Sequence, residues 1–151
     1  MNQEHIQAIK ELEQAIGTES SPVTYDVELG SIIKFARAIG DPNPLFSDEV
    51  SSRNSRYGGV VAPPTFLRSL PVNSFNPPLE SPFTRRLDGG SHWDYFESIR
   101  PRDRITITQK LTDVSPRDGR LGPMLFMTRE IRYVNQFDQT VAVQRGVGIS
   151  Y

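Results

Sequence analysis

The first part of the chain shows two kinds of hydrophobic spacing, one helical and one strand-like. Residues 3–16 predict an amphipathic helix, which Gly17 would end as a C-terminal cap. The apolar residues that recur at helical spacing are Ile6, Ile9, Leu12 and Ile16. Residues 23–27 alternate between apolar and polar side chains, which predicts a short strand after a polar connector.

Two further helices are expected before the middle of the chain. Ser31 suits an N-cap, and Gly40 would end the helix that follows. The apolar face of that helix would consist of Ile32, Phe35, Ala36 and Ile39. Another helix is predicted to begin near residue 62 and to run to Leu70, because Pro71 limits it. Residues 71–90 are rich in proline and end in two glycines, which predicts a long irregular loop.

The last third of the chain has the period-two pattern of strands. A strand is expected over residues 93–99, and a turn over residues 100–103 leads to a strand in which Ile105, Ile107 and Leu111 share one face. A turn over residues 116–122 separates it from a strand over residues 123–134. The last strand would place on one face Val141, Val143, Val147, Ile149 and Tyr151.

This order of elements predicts one α+β domain over residues 1–151, with the helices on one face of an antiparallel sheet. The N-terminal helix would occupy residues 1–17 of that domain. A hydrophobic content of 36% and a charged content of 23% are typical of a globular protein. The net charge of −1 argues against general nucleic-acid binding, and the absence of cysteine excludes a thiolate nucleophile or a cysteine-ligated metal. The charged N-terminus and the lack of a long apolar run predict a cytoplasmic protein without a membrane segment.

Two motifs carry the strongest functional signal. Residues 40–45 read Gly-Asp-Pro-Asn-Pro-Leu after a helix, and residues 58–66 read Gly-Gly-Val-Val-Ala-Pro-Pro-Thr-Phe. The first resembles the hydratase loop of the MaoC-like (R)-specific enoyl hydratase and dehydratase family. The second resembles the start of the long helix in that family's hot-dog fold. The chain from Gly17 onward is most similar to the N-terminal-half, fungal fatty-acid-synthase-like members.

The resemblance implies a hot-dog fold, in which an antiparallel sheet wraps around one helix. It also implies pairing with a second hot dog, as a homodimer or as a heterodimer with another MaoC-like subunit. The implied substrates are trans-2-enoyl or 3-hydroxyacyl thioesters of coenzyme A or of an acyl carrier protein. Hydration of such a thioester requires a positioned acid, a base and contacts to the thioester oxygen, so no metal or redox cofactor is expected.

Active members of this family use an aspartate and, five residues later, a histidine to position the attacking water. The aspartate corresponds to Asp41, and Asn43 corresponds to an asparagine that positions the loop and the substrate. The histidine position is occupied by Phe46, which cannot exchange a proton. His92 is the alternative candidate for a base, because it follows a pair of glycines and could face a cleft.

The substrate-binding candidates come from the residue that follows the first motif, from the second motif and from residues 93–102. They are Phe46, Gly58, Gly59, Pro63, Pro64, Thr65, Phe66, Trp93, Arg100 and Arg102. Each signal also has a structural interpretation. The two polar loop residues could only cap a turn, and the glycines could only permit a positive φ. The arginines could be solvated instead of contacting phosphate, and the aromatic residues could be core or subunit interface instead of acyl-tunnel wall.

Three hypotheses follow from the missing histidine. The first is one half of a two-subunit hydratase, in which a partner hot dog supplies an intact Asp/His pair. The second is a self-sufficient homodimeric hydratase or thioesterase in which Asp41 alone activates water. The third is a non-catalytic protein that binds acyl thioesters.

Overall fold

A computed structural model describes residues 3–76, 78–120 and 122–151. Its elements, in chain order, are α1 Gln3–Gln14, β1 Val23–Asp26, α2 Leu29–Ala38, the 3-10 helix η1 Pro44–Phe46, α3 Glu49–Arg53, the 3-10 helix η2 Pro64–Ser69, β2 Arg86–Tyr95, β3 Arg104–Gly119, β4 Gly122–Val134 and β5 Thr140–Ser150. No helix in these ranges combines the length and the apolar character that crossing a bilayer requires.

The five strands form one antiparallel sheet in the order β1-β3-β4-β5-β2. Tyr133 on β4 lies opposite Ile107 on β3 and Ala142 on β5, and all three are fully buried. Because directly opposed residues share a face, this register defines the face that carries the helices. The predicted α+β class, with helices on one side of an antiparallel sheet, is confirmed.

Two apolar clusters cover opposite ends of that helix-side face. At one end, Ile32 of α2 and Leu67 of η2 pack on Ile105 and Tyr133. At the other end, Leu12 of α1 packs with Leu111 and with residues of the connection between η2 and β2. Burying a large aliphatic side chain stabilises the fold by about 1.5–3 kcal/mol. The two clusters therefore hold helices against both ends of the sheet.

The last strand departs from its predicted single apolar face. The pairing of β4 with β5 shifts register between Tyr133 and Val134, so Val141 and Ala142 are both buried in the first cluster. Such a shift inserts one extra residue and moves later side chains to the opposite face. Beyond it the helix-side face of β5 carries Gln144, Gly146, Gly148 and Ser150, which lie opposite β4 residues of that face. From Gly146 onward, this face of β5 therefore has only small side chains.

The helices begin and end differently from the prediction. Helix α2 begins at Leu29 with Glu28 at its N-cap, so Ser31 lies inside the first turn and the N-cap prediction was wrong. The helix predicted from residue 62 to Leu70 is only the six-residue 3-10 helix η2. Pro63 and Pro64 at its start lack a backbone N–H, and Pro71 follows its C-cap Leu70, so proline interrupts the backbone hydrogen bonding at both ends of this short segment.

The predicted loop over residues 71–90 ends earlier, because β2 already begins at Arg86. The same strand ends at Tyr95, so the strand predicted over residues 93–99 covers only its last part. The predicted turn over residues 116–122 was placed too early, since β3 continues to Gly119 and pairs with Gly122. Residue 121 lies outside the described residues. The ends of these strands depend on pairing with neighbouring strands, which the hydrophobic pattern of one strand does not predict.

Candidate active site

The first motif begins with a tight helix ending. Gly40 has a φ of 71°, and the N–H groups of Gly40 and Asp41 donate to the carbonyl oxygens of Arg37 (3.1 Å) and Ala36 (3.0 Å). These two bonds form a Schellman motif, which requires a left-handed residue and therefore favours glycine. The chain leaves the helix in a defined direction and delivers Asp41 into the loop.

Asp41 and Asn43 both support the turn through their side chains. Asp41 Oδ1 accepts a hydrogen bond from the N–H of Asn43 at 3.0 Å, and Asn43 Oδ1 accepts one from the N–H of Leu45 at 3.0 Å. The second bond caps η1. Asp41 is exposed and Asn43 is half-buried. Both side chains therefore cap the turn, as the structural interpretation proposed. The second carboxylate oxygen of Asp41 makes no hydrogen bond within the turn.

Phe46 fills the position of the expected histidine with an apolar side chain. It is only 8% exposed and packs in the same cluster as α2 and η2. A protonatable side chain at this place would lose hydration, which disfavours the charged form. Packing therefore stabilises the loop at the position where the resemblance predicted a catalytic base.

A pocket of about 450 Å³ opens beside η1 and the end of β2. We call it the loop pocket. It is lined by Asn43, Leu45, Phe46, Arg56, Tyr57, Val61, Ala62, Pro63, Pro64, Tyr95, Phe96, Glu97, Ser98 and Ile99. Burial raises the pKa of Tyr95, while Arg56 Nη2 donates to the hydroxyl of Tyr57 at 2.6 Å. The pocket brings Asn43, Phe46 and both prolines of the second motif together.

Neither of the two histidines lines the loop pocket. His92 lies on the sheet face away from the helices, opposite Arg145, and its Nε2 is 3.2 Å from Asp94 Oδ1. His5 lies on α1, with its ring 4.8 Å from that of Phe83. Strand alternation explains the position of His92, because its neighbours Ser91 and Trp93 take the helix-side face. The structure therefore does not support His92 as a base in this site.

Gly58, Gly59, Arg100 and Arg102 lie together in another cavity, of about 840 Å³. We call it the arginine cavity. Its ionisable lining residues are Asp26, Glu28, Glu49, Arg53, Arg100, Arg102 and Arg104. Gly58 has a φ of 65° and its N–H is bonded to Ser55, so the positive-φ interpretation applies to this glycine.

The arginines of this cavity differ in their bonding. Arg100 Nη1 donates to the carbonyl oxygen of Tyr57 at 2.6 Å, and Arg104 Nε is 3.3 Å from Asp26. Arg102 has a φ of 76°, and its N–H donates to Val27 at 2.7 Å. Its guanidinium has no hydrogen-bond or ion-pair partner among the described residues. A left-handed arginine is unusual, because this backbone region costs about 1–2 kcal/mol for an L-residue.

Of the remaining candidates, Phe66 and Trp93 pack against other aromatic rings. Phe66 is buried and meets Phe35 edge-on at 5.6 Å, while Thr65 is exposed. Trp93 stacks between Tyr95 at 5.7 Å and Tyr133 at 5.6 Å. Burial raises the pKa of Tyr133 to about 12. In the described residues, no group of three or more His, Asp or Glu side chains could hold a metal ion.

Sequence reasoning missed a groove of about 420 Å³ on the helix-side face of β2, β4 and β5. We call it the sheet groove. Its polar and small lining residues are Arg86, Asp88, Gly90, Ser91, Gln109, Arg129, Gln144, Gly146, Gly148 and Ser150. The spacing of Gly146, Gly148 and Ser150 was the available signal, since three small residues at period two leave one strand face bare.

The sequence of this chain matches a known family and several known proteins. The family model described as "FAS1-like, dehydratase domain region" matches residues 14–144. A UPF0336 protein from Streptomyces avermitilis is 30% identical over 115 residues, which cover 72% of this chain and 77% of that protein.

Two solved structures show the same fold. A chain of the ChsH1–ChsH2 complex from Mycobacterium tuberculosis superposes with a TM-score of 0.78 at 20% identity, over 98% of this chain and 91% of that one. The MaoC-like dehydratase from Rhodospirillum rubrum superposes with a TM-score of 0.70 at 20% identity, over 91% of this chain and 92% of that one. The expected hot-dog fold is confirmed, with the long helix reduced to η2.

Proposed function

Because the chain belongs to the FAS1-like dehydratase domain region family, we propose that it is one subunit of an acyl-thioester hydratase or dehydratase. In this proposal it shapes the acyl-binding site and the subunit interface, and a second hot-dog subunit supplies the Asp/His pair. The observation that carries the proposal is the loop pocket, which has the family's loop but Phe46 in place of the histidine and no histidine in its lining.

The missing base has a clear chemical consequence. Hydration adds the water oxygen to C3 of the enoyl thioester and a proton to C2, so one group must take a proton and another must return one. General acid–base assistance contributes about 10²–10⁴-fold to such a step. Asp41 uses one carboxylate oxygen to hold the turn, at 3.0 Å from the N–H of Asn43. We therefore assign Asp41 and Asn43 to the loop scaffold, and the acid–base chemistry to the partner.

The edge of the sheet supports the presence of a partner. Strand β2 is ten residues long and pairs only with β5 in the described sheet, so its other edge is available. Leu87, Tyr95 and Phe96 are 50%, 45% and 60% exposed along and just beyond this strand. Long exposed edges with apolar side chains are templates for pairing with another strand. A second sheet that adds to β2 would also lie beside the loop pocket.

Two further features fit a bound acyl thioester. The sheet groove lies on the face that η2 leaves uncovered, and it would receive the acyl chain. The guanidinium of Arg102, with Arg100 in the same cavity, would receive phosphate groups of coenzyme A or of an acyl carrier protein, because guanidinium groups bind phosphate with paired hydrogen bonds. The proposed reaction requires no metal or redox cofactor.

The test is hydration of trans-2-enoyl-CoA substrates by the purified chain, with and without a co-expressed hot-dog subunit that has an intact Asp/His pair. We expect no turnover by the chain alone, a stable complex, and turnover by the complex. Asp41→Asn is the matched variant, because the asparagine oxygen can still accept the turn hydrogen bond. Turnover by the chain alone that Asp41→Asn abolishes would refute the proposal and establish a self-sufficient enzyme. Thioester binding without complex formation or turnover would establish a binding protein.

A further inference from the structure

The sheet groove contains an arginine whose position differs from that of a surface arginine. Arg129 lies in the middle of β4 on the helix-side face, opposite Leu111 on one side and Gly146 on the other. It is half-buried, and its guanidinium carbon lies 5.6 Å from the centre of the Phe75 ring. Arg129 lines the groove, so a ligand there can contact this side chain.

No acidic group in the described part of the chain forms an ion pair with this arginine. Arg129 has no hydrogen-bond or ion-pair partner among the described residues. Burial, and after it the nearby charge of Arg86, lower the pKa of Arg129. Arg86 lines the same groove and is likewise without a partner in the described part of the chain. Partial burial of an unpaired cation beside a like charge is unfavourable, and an anion between the two would relieve both penalties.

The rest of the groove suits a small oxyanion at the end of an apolar chain. The carboxamide of Gln144 has no described hydrogen-bond partner and could donate to a ligand oxygen. Met127 and Ile131 supply apolar lining, and Gly146 leaves room above the strand. Among the described lining residues Asp88 is the one carboxylate, and its Oδ1 accepts a hydrogen bond from the N–H of Gly90 at 2.8 Å. The lining therefore keeps an excess of positive charge.

We propose that the sheet groove binds a carboxylate at the end of an aliphatic chain, with Arg129 and Arg86 as its ligands. Guanidinium groups match the two oxygens of a carboxylate, and their charge-assisted hydrogen bonds are stronger than neutral ones. The inference rests on the proposed function where it names the chain: an acyl thioester whose far end carries a carboxylate. The helix-side face of β2 connects the loop pocket with the sheet groove, because Tyr95 lines the pocket and Ser91 lines the groove. At ~3.3 Å per strand residue, these two residues are about 13 Å apart.

The proposal can be tested on the chain without a partner and without turnover. The probes are dodecanedioyl-CoA, dodecanoyl-CoA and dodecanoic acid, measured by isothermal titration calorimetry and by the fluorescence of Trp93. That residue is the only tryptophan, and its Nε1 lies 3.2 Å from Ser91 Oγ in the groove. We expect dodecanedioyl-CoA to bind about tenfold or more tightly than dodecanoyl-CoA, as charge-assisted hydrogen bonds predict.

Three variants locate the subsite. Arg129→Gln keeps the stem and loses the charge, so it should abolish the preference for the carboxylate. Arg132→Gln on the same strand is the matched control, because Arg132 faces the other side of the sheet and lies 3.6 Å from Glu130. Gly146→Ala should weaken binding of both thioesters, since the added methyl group would fill the groove at ordinary contact distances of 3.5 and 3.8 Å.

Several outcomes would overturn the proposal. They are equal binding of the two thioesters, a preference that survives Arg129→Gln, and unchanged binding in Gly146→Ala. Binding of dodecanoic acid but not of dodecanedioyl-CoA, with dependence on Arg129, would retain the carboxylate subsite and refute its assignment to a thioester. Because turnover is not measured, an inactive complex in the previous test would leave this result unaffected.

Discussion

Replacing Gly40 by alanine tests how the loop of the first motif is held. Gly40 has a φ of 71° and ends α2 through a hydrogen bond to Arg37, while the next N–H bonds to Ala36. A Cβ atom built at Gly40 meets nothing within 4 Å. The substitution therefore introduces no clash, and its cost comes from the backbone alone.

The expected magnitude follows from two opposing effects. An L-residue in the left-handed region costs about 1–2 kcal/mol. Alanine also restricts the unfolded chain, which stabilises the native state by about 0.4–1 kcal/mol. We expect Gly40→Ala to lower the free energy of unfolding by about 1 kcal/mol, which corresponds to a fall in Tm of about 2–4 °C for a chain of this size.

The matched control is Gly59→Ala. This glycine is not in the left-handed region, and a Cβ atom there also meets nothing within 4 Å. Only the restriction of the unfolded chain then applies, so the stability should stay the same or rise slightly. Urea unfolding followed by circular dichroism measures both variants under identical conditions.

The result that would refute this reasoning is an equal free energy of unfolding for Gly40→Ala and Gly59→Ala. It would mean that the left-handed backbone at Gly40 is not required, and that the Schellman ending does not direct the loop. A loss much larger than 2 kcal/mol would also contradict it, because the open space around Gly40 leaves no steric term.

Three further predictions concern the site and the core. Asp41→Asn should fold normally and reduce turnover of a two-subunit complex by less than about tenfold, whereas loss of a catalytic base costs about 10²–10⁴-fold; steady-state hydration kinetics distinguish the two. Phe46→Ala should destabilise the chain by about 3–5 kcal/mol, because it empties a buried aromatic site, and a midpoint in urea equal to that of the wild type would contradict this. Tyr133 should make stability fall between about pH 10 and pH 12, since its pKa is raised to about 12 by burial and the neutral form is therefore favoured in the native state. The stabilisation from neutral Tyr133 is fully present below about pH 10 and is lost progressively as the pH rises to about 12. Tyr133→Phe should therefore be less sensitive to alkali, and parallel alkaline unfolding curves for the two proteins would refute the assignment.

The sequence by itself determined the class of fold and the directions of most strand faces. Period-two spacing placed Ile105, Ile107 and Leu111 on one buried face, and the structure confirms this. Such patterns are local, since they depend only on which side of a strand must avoid water. The Gly40 helix ending and the turn of residues 41–45 were predictable for the same reason: backbone geometry there is set by the residues themselves.

The sequence also indicated which chemistry is incomplete, because Phe46 stands where the resembling family has a histidine. It did not indicate which of the predicted site residues lie close together in the folded chain. Only the tertiary structure separated Gly58, Arg100 and Arg102 from the loop pocket and placed His92 on the opposite sheet face. Strand register and the connections between strands decide such groupings, and both depend on pairings between residues far apart in the chain.

The sheet groove is the clearest example of what tertiary structure alone decided. The sequence predicted a helix from residue 62 to Leu70, whereas the structure has only the six-residue η2. That the uncovered face would contain Arg129 required the pairing of β4 with β3 and β5 and the register shift before Val134. A side chain's face follows from its own strand, but what lies above that face is set by packing of distant elements. Sequence periodicity therefore predicts burial well and predicts sites poorly.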